Sequence, residues 1–118
     1  MTLNGVFVSA RETRQYAAGD VIFAEGDASA EMYGVVSGSV ELRKDGLPVV
    51  SVAAGGTFGE MGIIDNAPRS LTAVAAEASE VAVIDERTFL FLVQETPMFA
   101  LRVMQAMAAR IRELDGSG

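Results

Sequence analysis

Met32-Tyr33-Gly34-Val35-Val36-Ser37-Gly38-Ser39-Val40-Glu41-Leu42-Arg43-Lys44-Asp45-Gly46-Leu47-Pro48-Val49-Val50-Ser51-Val52 reads as three short strands cut by two turns. Met32–Val36 and Ser39–Arg43 flank Ser37-Gly38, and Asp45-Gly46 is the hairpin signal leading into Leu47–Val52, because Asp and Gly both tolerate the positive φ angles of a tight β-turn. The same punctuation continues outward. Ala18-Gly19-Asp20, Glu25-Gly26-Asp27 and Gly55-Gly56 are further breaks, and two more strands fall at about Ser70–Ala76 and Glu80–Ile84. Turns recurring at about 8–12 residues between short β-type segments predict a sandwich or barrel from Tyr16 to about Asp85.

Beyond Asp85 the periodicity becomes helical. Asp85 is a good N-cap, and Phe89, Leu92 and Val93 follow on one helix face, predicting a helix over 86–95. Thr96-Pro97 opens a second helix over 97–114, with Pro at its first position and Phe99, Val103, Met107, Ile111 and Leu114 recurring every three or four residues. Arg102, Arg110 and Arg112 are read as its solvated outer face. Met107 is read as core filling, while Met98 and Met104 stay open between core and a partner surface. The tail from Asp115 to Gly118 reads as flexible and polar.

Composition removes several function classes. The chain has 118 residues, enough for one domain, with no Cys and no His, so disulfides, thiolate metal sites and the commonest general base are missing. Neither a catalytic residue nor a metal ligand is identified; Asp20, Glu25, Asp27 and Glu31 lack the spacing of a calcium loop. A formal net charge of −7 opposes binding to nucleic acid, which relies on Lys and Arg at phosphates. Apolar runs stay short of the roughly 18 residues of a membrane span. The N-terminal MTLNGVFVSARETR lacks an export signal, and the expected location is cytoplasmic.

The segment Phe58-Gly59-Glu60-Met61-Gly62-Ile63-Ile64-Asp65-Asn66-Ala67-Pro68-Arg69-Ser70-Leu71-Thr72-Ala73 interrupts the β pattern with a helix-like turn. Gly59 and Gly62 allow close backbone approach, N–H groups at a helix start attract an anion, and Arg69 adds a planar, permanently charged fork. Glu60 would repel a phosphate at close range, so its role there is to accept from hydroxyls such as those of a ribose. Taken singly, Arg69 reads as a surface side chain, and Glu60 as a solvated residue or the ion-pair partner of Arg69.

FGEMGIIDNAPRSLTA resembles the phosphate-binding cassette of the cyclic-nucleotide-binding family, which includes catabolite activator proteins, kinase regulatory subunits and gated channels. The upstream Gly19-Asp20, Glu25-Gly26-Asp27, Tyr33, Val35 and Gly38 are similar to its structural glycine turns, and the resemblance covers about residues 14–114. It implies an antiparallel β-roll (a jelly-roll-like double-stranded β-helix) over about 14–85, a short cassette helix and two C-terminal helices, in a single domain spanning 1–118. It further implies a non-enzymatic sensor with no cofactor, whose ligand is cyclic AMP or cyclic GMP. Glu60 would meet the ribose 2′-hydroxyl and Arg69 the cyclic phosphate. Gly62 and Ser70 would complete the phosphate's shell, and Gly59 would pass beside the ribose. Base contacts are assigned by strand position to Leu47, Val49 or Val74, and Leu71 stands where the family commonly has Ala.

The family's further lid helix has no counterpart after residue 114, so the pocket is expected to lack a cover of its own. The 97–114 helix is the expected surface for a protein partner or a homodimer. Two alternatives differ in class: a ligand-free β-roll interaction domain, and a cupin-like metalloenzyme, which the absence of His disfavours.

Overall fold

A computed structural model describes residues 12–115; the leader reading on residues 1–11 and the tail beyond Asp115 lie outside them. Eight strands run in chain order: β1 Glu12–Tyr16, β2 Val21–Phe23, β3 Glu31–Ser37, β4 Ser39–Lys44, β5 Leu47–Ala53, β6 Thr57–Phe58, β7 Thr72–Ala75 and β8 Ser79–Asp85. They form two antiparallel four-stranded sheets, ordered β1-β8-β3-β6 and β2-β7-β4-β5. This is the antiparallel β-roll that the family resemblance implies, within the sandwich-or-barrel class read from the turn spacing. Strands β1, β2 and β6 have two to five residues, too short for alternation to mark them in the sequence.

Asp45 at φ 52° and Gly46 at φ 81° make the β4–β5 turn, with positive φ at both central positions as an Asp-Gly hairpin requires. The opening stretch is apolar without strict alternation because β3 is covered on both faces. Tyr33 and Val35 join Phe23, Val40, Leu42, Val52, Phe58 and others between the sheets, whereas Met32 turns outward to Ala82, Ile84, Leu92, Phe99 and Val103 under the helices. A strand buried on both sides loses its polar alternation.

Three helices complete the chain: α1 Met61–Ile64, α2 Glu86–Glu95 and α3 Met98–Asp115. The Asp85 carboxylate accepts from the Thr88 N–H at 2.7 Å, the capping contact its position predicts. Assigned helix begins at Met98 rather than Pro97, after the Phe99 N–H donates to Thr96 O at 2.8 Å. Phe99 is fully buried and Val103 3 % exposed; burying side chains of this size stabilises by roughly 1.5–3 kcal/mol each, and it seats α3 on the outer face of the first sheet. Among the described residues no helix is long and apolar enough to cross a membrane.

Candidate ligand pocket

The segment 58–73 leaves β6 at the edge of one sheet and returns through β7 inside the other, so it bridges the two sheets. Local contacts shape it. Asn66, at φ 55°, donates through its amide to Gly62 O at 2.8 Å, satisfying a carbonyl at the end of α1. The Asp65 carboxylate accepts from Ala67 N at 3.0 Å, and Ser29 Oγ donates to Ala67 O at 2.6 Å. The Arg69 backbone is clamped by the Gly26-Asp27 turn: Gly26 N donates to Arg69 O at 2.8 Å and Arg69 N to Asp27 O at 2.9 Å. The upstream glycine turn therefore positions the arginine 42 to 43 residues later in the chain.

Arg69 is not a surface residue; it is 8 % exposed. Its guanidinium lies 4.2 Å from the centroid of the Phe23 ring, a cation–π arrangement, within a cluster in which the Tyr33 and Phe58 rings stack at 5.2 Å. Nη1 donates to Gly59 O at 2.9 Å and Nη2 to Glu31 O at 2.7 Å, while Nε is buried without a partner. Burial lowers the Arg69 pKa from its ordinary value, yet a guanidinium stays charged at neutral pH.

Gly59 and Gly62 each lie beside this cation. Gly59 has φ +77°, and a Cβ on Gly62 would stand 2.5 Å from Glu31 O and 3.1 Å from Arg69 Nη1. The Gly62 N–H, expected to face a phosphate, donates to Gly59 O at 3.1 Å, so in this structure it closes the turn. Glycine at 62 is demanded by the approach of α1 to β3.

Glu60 is 4 % exposed, and its partner is neither solvent nor Arg69. Arg110 of α3 reaches it, with Nη1 at 2.9 Å from Oε1 and 2.8 Å from Oε2 and Nη2 at 2.6 Å from Thr57 O. The Thr57 hydroxyl donates to Glu60 Oε1 at 3.0 Å. The expectation of a solvated Arg110 is thus corrected: its side chain is 14 % exposed. The sequence held the signal, because Val103, Met107 and Arg110 are spaced by four and three residues, which places the arginine on the apolar face of its helix.

These residues meet in one cavity of about 270 Å³, whose lining includes Gly59, Glu60, Arg69 and Ser70 from the bridging segment and Met107, Arg110 and Ile111 from α3. Of the sequence-derived site residues, Gly59, Glu60, Arg69 and Ser70 line it and Gly62 supports it from behind. The 97–114 helix itself contributes Met107, Arg110 and Ile111 to the cavity wall. Leu47, Val49 and Val74 are not in the cavity's lining, whereas Leu42, Leu71 and Phe23 are; Leu47 sits at the hairpin end, 69 % exposed.

The family model for the cyclic nucleotide-binding domain matches residues 13–96. The chain belongs to this family. A cyclic AMP receptor protein of Thermus thermophilus is 33 % identical over 109 residues, covering 88 % of this chain and 50 % of that protein. A cAMP-dependent protein kinase regulatory subunit of Yarrowia lipolytica is 40 % identical over 72 residues, 61 % of this chain and 19 % of that one. The chain thus spans half or less of these curated relatives. The crystal structure of the Thermus thermophilus catabolite activator protein superposes with a TM-score of 0.77 at 30 % identity, covering 96 % of this chain and 55 % of that one. These members of the cyclic nucleotide-binding family are regulatory or sensor proteins. A further relative, a lysophospholipase of Chaetomium globosum, is matched over 7 % of its length.

Proposed function

We propose that this chain is a non-enzymatic sensor module of one domain, residues 1–118, that binds cyclic AMP or cyclic GMP in the cavity beneath α3. One observation carries the reading: the buried Arg69 fork, with Nε lacking an acceptor, shares a single cavity with the buried Glu60 carboxylate. An unpaired buried donor is costly, and an anionic oxygen is its strongest partner. The cyclic phosphate lies at Arg69 and Ser70, and the ribose 2′-hydroxyl at Glu60 beside the Gly59 backbone, with Gly62 holding the turn. No cofactor or metal is required.

Signal output follows from Arg110. A carboxylate offers about four lone-pair sites, and Thr57 with the two Arg110 contacts takes three at Glu60. A ribose hydroxyl would take the remaining one, so ligand and α3 share the same carboxylate. Ligand closes the segment 58–73 and shifts the population of α3 positions, provided it binds one arrangement more tightly. The exposed stripe of α3, with Leu101 41 %, Met104 57 % and Ile111 56 % exposed, is the surface for a protein partner or a second copy. Nucleic acid and membrane are not partners of this module, and its setting is the cytoplasm.

Calorimetric titration of the wild type and Arg69→Ala with both nucleotides tests the reading. The expected result is micromolar binding by the wild type and a loss of about 2–5 kcal/mol in the variant, with circular dichroism confirming its fold. Absence of heat from either nucleotide at high micromolar concentration would identify the chain as a ligand-free interaction domain.

A further inference from the structure

Two thioethers line the cavity. Met61 comes from α1 and is 43 % exposed, Met107 comes from α3 and is half-buried, and they share the apolar wall with Phe23, Leu42, Leu71 and Ile111. Met107 also packs against the cluster of Phe99 and Val103 that seats α3. It stands one helical turn before Arg110, which ties the helix to Glu60. The other described methionines sit elsewhere: Met32 is fully buried, and Met98 and Met104 are exposed on α3, outside the cavity lining. The chain contains no Cys, so its thioethers are the sulfur atoms an oxidant can reach.

We propose that Met61 and Met107 are oxidation sites through which hydrogen peroxide lowers the affinity of the pocket for its nucleotide. The inference rests on the cyclic-nucleotide reading above and adds a modification to it. Each sulfur gives up two electrons and takes one oxygen atom from hydrogen peroxide; the O–O bond breaks, a sulfoxide forms and water leaves. A polar, chiral group then stands where a flexible apolar one stood. Facing solvent, the sulfoxide oxygen accepts from water. A nucleotide seated against the apolar wall displaces that water, and the bound state carries the cost of a poorly satisfied polar group. At Met107 the same change also weakens the packing on Phe99 and Val103, and with it the seat of α3.

The full chain is treated with hydrogen peroxide, sulfoxides are located by peptide mass spectrometry, and cyclic AMP and cyclic GMP are titrated before and after. The double variants Met61→Leu/Met107→Leu and Met98→Leu/Met104→Leu are treated alike, each compared with its own untreated state; Leu keeps the volume without the sulfur. Oxidation is expected to weaken binding by the wild type about tenfold, the scale of one poorly satisfied buried polar group. The Met98/Met104 variant should lose as much, and the Met61/Met107 variant should stay near its untreated affinity. An equal loss in the Met61/Met107 variant assigns the effect to other residues and overturns the inference. Wild-type affinity that survives conversion of both residues overturns it too, as does resistance of both to peroxide that converts Met98 and Met104; all three outcomes leave nucleotide binding standing. If the untreated chain binds neither nucleotide, that reading and this inference fall together.

Discussion

Arg69 is held in place before any ligand arrives, because Gly59 O, Glu31 O and the Phe23 ring occupy its Nη atoms and one face. Its anchors set the tolerance of its neighbours. Gly62→Ala would push a methyl to within 2.5 Å of Glu31 O, and the backbone shift needed to relieve it costs about 1–3 kcal/mol; urea denaturation should show the loss, with weakened nucleotide binding. Tyr33 supplies a pH prediction. Burial chiefly, then the neighbouring Glu31 carboxylate, pushes its phenol up to about 12, against about 10 in an unfolded chain. A phenol harder to ionise in the fold contributes stability that is fully present below pH 10 and disappears as the pH rises towards 12. Thermal melts across that window should fall, by on the order of 2 kcal/mol, and Tyr33→Phe should flatten the dependence while sparing the stacked rings. Gly59, Glu60 and Arg69 were legible as a candidate site because a carboxylate and a guanidinium flanking glycines in one short segment point to a ligand. Arg110 was not read, since 50 residues separate it from Glu60.

Helix α3 is the element in which stability and response meet. Phe99 and Val103 hold its first half on the sheet, whereas its second half is tied to Glu60 and the Thr57 carbonyl through Arg110. Removing one member of a buried pair leaves the other charge uncompensated. Arg110→Ala should therefore lower stability by about 3 kcal/mol, seen as a fall in the denaturation midpoint. It should also raise amide hydrogen exchange in the C-terminal half of α3 beyond that in α2, which is capped independently by Asp85. In the wild type, saturating nucleotide should change exchange in α3; identical protection with and without ligand would refute the coupling. The extents of α2 and α3 were readable because caps and apolar spacing are local. Arg110 shares the apolar face with Val103 and Met107 by the same spacing, but what it meets there was not readable, because Glu60 lies 50 residues away.

At the scale of the molecule, β3 and β8 separate two apolar clusters, one between the sheets and one under the helices. Phe99 is fully buried in the second, so Phe99→Ala should cost about 3–5 kcal/mol. Because both clusters share these two strands, heating is expected to show one calorimetric transition in wild type and variant alike. Nucleotide at a hundred times its Kd should add about 2.7 kcal/mol by mass action, raising the midpoint of that transition. The sequence alone determined a sandwich-or-barrel class, the helix positions and the segment 58–73 that interrupts the β pattern, because turn residues, caps and alternation act over a few neighbours; the β-roll came with the family resemblance. Only the tertiary structure decided that Glu60 faces Arg110, that Arg69 rests on Phe23, and that α3 lines the cavity. Each of these contacts joins distant parts of the chain, and its geometry depends on how two sheets and a helix pack together.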